Sequence, residues 1–324
     1  MYFFKGESVP SLYTKILDTV LNEGRTISPR GLLTKEIGPV IIEVTNPRKR
    51  LFGHPNRKEV SIFTYIEGLW ILLKEASLNR VGHYVPAMSN YVHERTKLFD
   101  GAYGPAIGNQ FELVYQRLKE DRDTRQAIVV INQPYLHKLP TKDYPCTLSY
   151  QFLIRDNKLD MIAYMRSQDA YLGLVYDQGE FQWFLEILAG WLGIDVGRYI
   201  HIDGSLHLYK KYWDKARLVV KKDNDWDLYS TATVLDARLP KEDFDIVLSN
   251  LGLWEEACRG TWGLSKSYPE KEYWDFKNEF YNNLADIILA YNLRLRGYKE
   301  IANEIIRGNN TDLGLIYRRR WLNE

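Results

Sequence analysis

Hydrophobic positions along the chain change period several times, and each period predicts an element. Between Ser11 and Glu23 the apolar residues Leu12, Ile16, Val20 and Leu21 recur near the helical repeat, which predicts an amphipathic helix ended by Gly24. Ser28-Pro29-Arg30-Gly31 then reads as a turn, and Val40-Ile41-Ile42-Glu43-Val44 as a buried strand closed by Asn46-Pro47. Ser61 to Ala76 is dense in apolar residues around Glu67, so it predicts an enclosed helix whose carboxylate needs a purpose. Leu113 to Leu118 reads as the end of a helix running into a charged turn, and the β-branched run Ala127 to Ile131 suits a central strand.

Further on, Thr147 to Ile154 and Lys158 to Met165 are separated by Arg155-Asp156-Asn157, which predicts a hairpin. Phe181, Phe184, Leu185, Leu188, Trp191 and Leu192 form a helical stripe over Gln178 to Leu192, stopped by Gly193, and Arg198 to Tyr209 contains a further strand. Beyond Tyr209 the chain becomes rich in Trp and Tyr, with amphipathic patches at Glu279 to Leu295 and Ile301 to Arg307. This predicts a catalytic core over residues 1–212 and a mainly helical extension over residues 213–324 packed on it.

Composition narrows the class without naming a function. A chain of 324 residues, 45% hydrophobic and 26% charged, can bury a large core. The formal charge of +1, with no basic tail, speaks against a nucleic acid polymer as partner. No secretory or membrane-spanning pattern stands out, so a cytoplasmic protein is expected. Cys146 and Cys258 are the only cysteines, which leaves no disulfide framework and no metal cluster to expect.

A lone cysteine is more often a small buried hydrophobe than a nucleophile. Cys146, however, follows Pro145 and opens a predicted strand, and Arg166 is placed to lower its pKa. Pro145-Cys146-Thr147, followed by the segment Arg166-Ser167-Gln168-Asp169-Ala170-Tyr171-Leu172-Gly173-Leu174-Val175-Tyr176-Asp177, resembles the nucleophile and nucleotide-binding motifs of the thymidylate synthase superfamily. The resemblance covers roughly residues 12 to 212 and implies an α/β (α+β) fold with a mixed β-sheet flanked by helices.

Residue by residue, the resemblance implies Cys146 as nucleophile, Arg166 and Ser167 as phosphate ligands, and Asp169 as the acid contacting the pterin of a folate. It implies Gly173 as the point where backbone approaches the base, and His207 with Tyr209 as partners of a sugar hydroxyl. Glu67 resembles the family's buried proton-relaying carboxylate, and Tyr103 an active-site tyrosine near the nucleophile. Arg30 matches a phosphate-binding loop arginine of the same subunit; Arg125 matches one that reaches across a homodimer, although Gln126 stands where a second arginine is usual.

Asp177 stands where uridylate-directed synthases carry Asn, and Thr147 where many carry His. Both features, with Met165-Arg166-Ser167, resemble the cytidylate 5-hydroxymethylase branch. The chemistry agrees with that direction. An amide offers a donor and an acceptor to the uracil edge, whereas a carboxylate accepts from the amine and the protonated N3 of cytosine. The expected reaction is therefore one-carbon transfer from 5,10-methylenetetrahydrofolate to C5 of a pyrimidine mononucleotide, CMP in preference to dCMP, followed by water addition. The preference for CMP comes from the long tail, which resembles hydroxymethylases acting on ribonucleotides. A uridylate-directed synthase or hydroxymethylase is the alternative, and a noncatalytic nucleotide- or RNA-binding relative a remote one. Asp177 also suits a plain helix N-cap ahead of Gln178, and His207 a satisfied core histidine.

Overall fold

The computed structural model describes residues 1–57, 59–135, 141–221, 227–260 and 274–323. Strand β1 (Tyr2–Gly6) leads into helix α1 (Val9–Glu23). α1 starts two residues before the expected Ser11 because Ser8 and Ser11 form a reciprocal capping box and Pro10 sits in the first turn. Strands β2 (Arg25–Ile27), β3 (Thr34–Ile37) and β4 (Val40–Val44) follow, with the Pro29–Gly31 turn between β2 and β3. Helices α2 (Phe63–Leu72), α3 (Leu78–Tyr84), α4 (Tyr103–Ile107) and α5 (Gln110–Glu120) precede β5 (Ile128–Val130). The expected hairpin is β6 (Thr147–Arg155) and β7 (Lys158–Met165), and Asp156 and Asn157 at its tip have positive φ of 50° and 57°, matching the twist of a tight hairpin.

Strand β8 (Gln168–Asp169) then enters helix α6 (Gly173–Leu192), and β9 (Asp195–Asp203), β10 (Leu206–Tyr209) and helix α7 (Trp213–Lys221) follow. One mixed sheet has the order β1-β4-β9-β7-β6-β5 and a second the order β2-β3-β10-β8. The single strand expected over Arg198 to Tyr209 is thus two strands in different sheets, separated at Gly204 and Ser205. β5 is an edge strand and not a central one, with Ile128 44% and Val130 43% exposed. Its apolar composition reflects the outer face of the sheet instead of enclosure on both faces.

α6 lies across the inner face of the six-stranded sheet, where Phe181, Phe184, Leu185 and Leu188 are almost fully buried. Burying each such side chain contributes about 1.5–3 kcal/mol. The helix closes on Gly193, whose φ of 65° suits glycine at a helix end. α2 packs on α6, and Gly68 permits this approach, since a Cβ there would meet the Trp183 ring at 2.9 Å. The chain forms two compact units, Met1–Asp227 and Leu228–Glu324. The first unit runs past residue 212 because α7 packs on α1 and buries Ala216 and Val219 in the same core. The second unit is helical: α8 (Lys241–Arg259), α9 (Glu279–Leu295), α10 (Lys299–Ile306) and α11 (Asp312–Leu322). Residues 222–226, 261–273 and 324 of the expected extension lie outside the described residues.

Candidate active site

The start of β6 and the end of β7 lie side by side, and β8, which pairs with β10, leads into the N-terminal turns of α6. Cys146 immediately precedes β6 and is partly buried, whereas Cys258 is buried in the second unit. Arg166, just past β7, is held by Pro145 O at 2.9 Å and Tyr144 O at 2.8 Å, which brings its Nη2 to 3.5 Å from Cys146 Sγ. Thr147 N–H donates to Tyr103 Oη at 3.2 Å, tying α4 to the residue after the cysteine. Arg166 does pull the Cys146 pKa down, as expected, but the net shift is upward. Burial pushes the thiol above its ordinary value, and the pull of Arg166 offsets that only in part.

Asp177 lies inside α6, one turn past its start, and is not an N-cap. The helix begins at Gly173 with Leu172 at its N-cap position and no side-chain cap, while Asp169 Oδ1 accepts from Tyr171 N at 2.8 Å and Leu172 N at 3.0 Å in the turn that precedes it. Asp177 Oδ2 accepts from Gln168 Nε2 at 2.8 Å. Burial pushes its pKa up to about 6, against the opposing effects of the Gln168 bond and His201. A carboxyl near that value is mostly ionised at neutral pH and takes up a proton at mildly acidic pH, well above the ordinary carboxylate range.

Glu67, on α2, faces Asp177 and Glu180, which share one face of α6 at a spacing of three residues. Burial and then Asp177 push Glu67 up to about 8. Glu180 is raised well above the usual carboxylate range by burial, then by Glu67 and Asp177. Three carboxyls so enclosed cannot all ionise, and the arrangement stores protons beside the cysteine. Tyr103 is held neutral by burial together with the fields of Cys146 and Asp177.

A second group adjoins the first. Register pairs His207 of β10 with Asp169 of β8, and Ser167 Oγ lies 3.2 Å from His207 Nδ1. Burial lowers the His207 pKa, favouring neutral imidazole, and its ring meets Tyr209 edge-on at 5.0 Å. Arg30, at a positive φ of 52°, reaches the Tyr209 hydroxyl. Both line a cleft of about 880 Å³ edged by Lys142, Lys210 and Lys211. Arg125 stands apart from these residues: its side chain is exposed in the loop before β5, and its carbonyl accepts from Gln151.

Several buried groups escaped the sequence reading. Gln168 and Glu180 are two. A third is the chain Tyr199 Oη to His201 Nδ1 at 2.6 Å and His201 Nε2 to Asp203 Oδ1 at 3.0 Å, all fully buried on the inner face of β9. The signal was present as alternation with inverted sense: Tyr199, His201 and Asp203 point inward while Ile200 and Ile202 point outward.

A thymidylate synthase family profile matches residues 12–232. The chain belongs to the thymidylate synthase family. It is 36% identical over 227 residues to the deoxyuridylate hydroxymethyltransferase of Bacillus phage SP01, an alignment covering 64% of this chain and 59% of the phage protein. The chain therefore spans less than two thirds of that relative's length. A putative thymidylate synthase of Methanocaldococcus jannaschii is 27% identical over 215 residues, covering 64% of this chain and 91% of the relative. The thermostable thymidylate synthase A of Bacillus subtilis superposes with a TM-score of 0.57 at 20% identity, covering 66% of this chain and 84% of that one. The thymidylate-synthase-like fold expected from the motifs is the fold observed.

Proposed function

We propose that the chain is a pyrimidine nucleotide 5-hydroxymethylase that uses 5,10-methylenetetrahydrofolate, with a cytidylate, CMP before dCMP, as its substrate. The observation that carries this reading is the meeting of Cys146, Tyr103, Asp177 and Glu67 at one place beside Arg166. C5 of a pyrimidine is a poor nucleophile until C6 has been attacked. Cys146 Sγ adds to C6 as its thiolate, and the electron pair gained at C5 captures the folate methylene carbon. A base takes the C5 proton, and the electron pair of the broken C5–H bond expels tetrahydrofolate, leaving an exocyclic methylene at C5. Water oxygen bonds to that carbon, its proton passes to a carboxylate, and the returning electron pair expels Cys146. The stored protons of Glu67 and Glu180 suit a sequence in which protons must be both given and taken.

Arg166, Ser167 and Arg30 are assigned to the phosphate, His207 and Tyr209 to the sugar hydroxyl, Gly173 and Asp177 to the base, and Asp169 to the folate. A twofold homodimer with Arg125 serving the partner's phosphate is part of the same reading. Two rows of side chains support it on the outer face of the large sheet: Phe3, Ile41, Ile202, Tyr164, Ser149, Val130, and Lys5, Glu43, Ile200, Ile162, Gln151, Ile128. Ile-rich rows that end in half-exposed Phe3, Ile128 and Val130 suit burial against a second copy.

A uridylate substrate is the second reading. It is favoured by the phage relative, named a deoxyuridylate hydroxymethyltransferase, and by the raised pKa of Asp177, since a protonated carboxyl offers donor and acceptor as an amide does. Incubation with methylenetetrahydrofolate and CMP, dCMP or dUMP, with products separated by mass, distinguishes these. A 5-hydroxymethyl cytidylate with tetrahydrofolate is expected. A 5-methyl product with dihydrofolate, or exclusive use of dUMP, would refute it.

A further inference from the structure

Gln168 is 2% exposed and anchored on β8, where its backbone N–H donates to Ser205 O at 2.8 Å. Its Nε2 donates to Asp177 Oδ2 at 2.8 Å. Both side chains pack over the bare backbone of Gly173, where a Cβ would come within 3.2 Å of Gln168 Nε2 and 3.3 Å of Asp177 Oδ2. A carboxyl group bonded in this way is no longer symmetric. Oδ2 is engaged as an acceptor, so a proton on Asp177 belongs on Oδ1.

That asymmetry bears on the two pyrimidine edges. Cytosine presents an acceptor at N3 beside a donor amine, whereas uracil presents a donor at N3 beside an acceptor at O4. A protonated carboxyl has one donor oxygen beside one acceptor oxygen and can pair with either base. The match depends on which oxygen carries the proton. We propose that Gln168 is a specificity-determining positioning residue, which fixes the donor–acceptor order that Asp177 presents to the pyrimidine edge and thereby selects the base. This rests on Asp177 facing the base, as in the proposed function. The bland alternative is that Gln168 merely satisfies a buried carboxyl, in which case its loss weakens folding and leaves the choice between bases untouched.

Competition between CMP and UMP for the full-length protein separates the two, because a ratio measured in one mixture does not depend on the folded fraction. Gln168→Met keeps the volume and removes the donor. Its cytidylate-to-uridylate binding ratio should fall about tenfold, the effect of one hydrogen bond to a discriminating group. Gln168→Glu, nearly isosteric with the native residue, shares a proton with Asp177 and no longer fixes Oδ2 as the acceptor, so its ratio should fall as well. A wild-type protein without base preference, or folded variants that keep the wild-type ratio, would overturn the inference. Preference for UMP in the wild type that collapses in Gln168→Met would refute the cytidylate reading while sustaining the role of Gln168. The same pair assayed for turnover with methylenetetrahydrofolate tests the reaction separately.

Discussion

Replacing Glu67 by glutamine should stabilise the protein, and increasingly so as the pH rises. Glu67 is enclosed between α2 and α6, where burial and the facing Asp177 raise its pKa from 4.5 to about 8. In the unfolded chain the group ionises near its ordinary value. Below that value it is protonated in both states and costs nothing. Between the two values folding requires a proton to be taken up, so the stability present at low pH is lost progressively until about pH 8. At 1.36 kcal/mol per pH unit the full difference is about 5 kcal/mol. Asp177 and Glu180 share the same enclosure and redistribute part of the burden, so about 2–5 kcal/mol is expected. The assay is urea unfolding of the wild type and Glu67→Gln at intervals from pH 5 to 9, following the transition of the unit that holds α2 and α6. The two proteins should nearly coincide at the acid end and diverge towards the alkaline end, with the variant more stable. A difference that does not grow with pH, or a variant that loses ground as pH rises, would show that Glu67 is solvated or paired and refute the proton store.

Alkylation of Cys146 by iodoacetamide should titrate above the ordinary thiol value of 9.0, and Arg166→Gln should move that midpoint higher because an opposing positive charge is gone; mass spectrometry of the modified peptide reads both. Cys146→Ala should lose turnover by at least about a thousandfold with nucleotide affinity little changed, while Cys258→Ala, altered in the second unit, should stay active. Mixed Arg125→Ala and Cys146→Ala subunits should recover activity through one intact composite site per heterodimer; proven subunit exchange without recovery would rule out the shared site. His207 and Tyr209 would hold a hydroxyl common to both sugars, so competition between CMP and dCMP reports on the surroundings of C2′, and faster use of dCMP would reverse the ribonucleotide preference.

The order and type of the main elements could be read directly from the residues. α1 and the β6–β7 hairpin announced themselves through local signals, an apolar period and a short polar connection, and such signals act between neighbours in sequence. The motif around Cys146 and the segment from Arg166 to Asp177 likewise carried the family, since spacing along the chain is preserved whatever the fold does with it. Edge and centre were beyond that reach. β5 is apolar in either position, and only its pairing with β6 alone leaves Ile128 and Val130 outward. The split of Arg198 to Tyr209 between two sheets also depends on partners far along the chain: β9 pairs with β4 and β7, whereas β10 pairs with β3 and β8.

Charge states belonged to the tertiary structure most of all. Sequence identified Cys146, Arg166, Glu67 and Asp177 as titratable, but a pKa depends on the water excluded and the charges faced, and both are set by which helix covers which strand. The proximity of Arg166 suggested a depressed thiol, yet enclosure of the cysteine outweighs it. Asp177 looked like an ordinary carboxylate, yet burial raises its pKa to about 6, and Gln168, nine residues earlier, engages one of its oxygens as an acceptor. Tyr199, His201 and Asp203 show the same division: their alternation was written in the sequence, but that this polar face would be the buried one followed only from α6 lying over it.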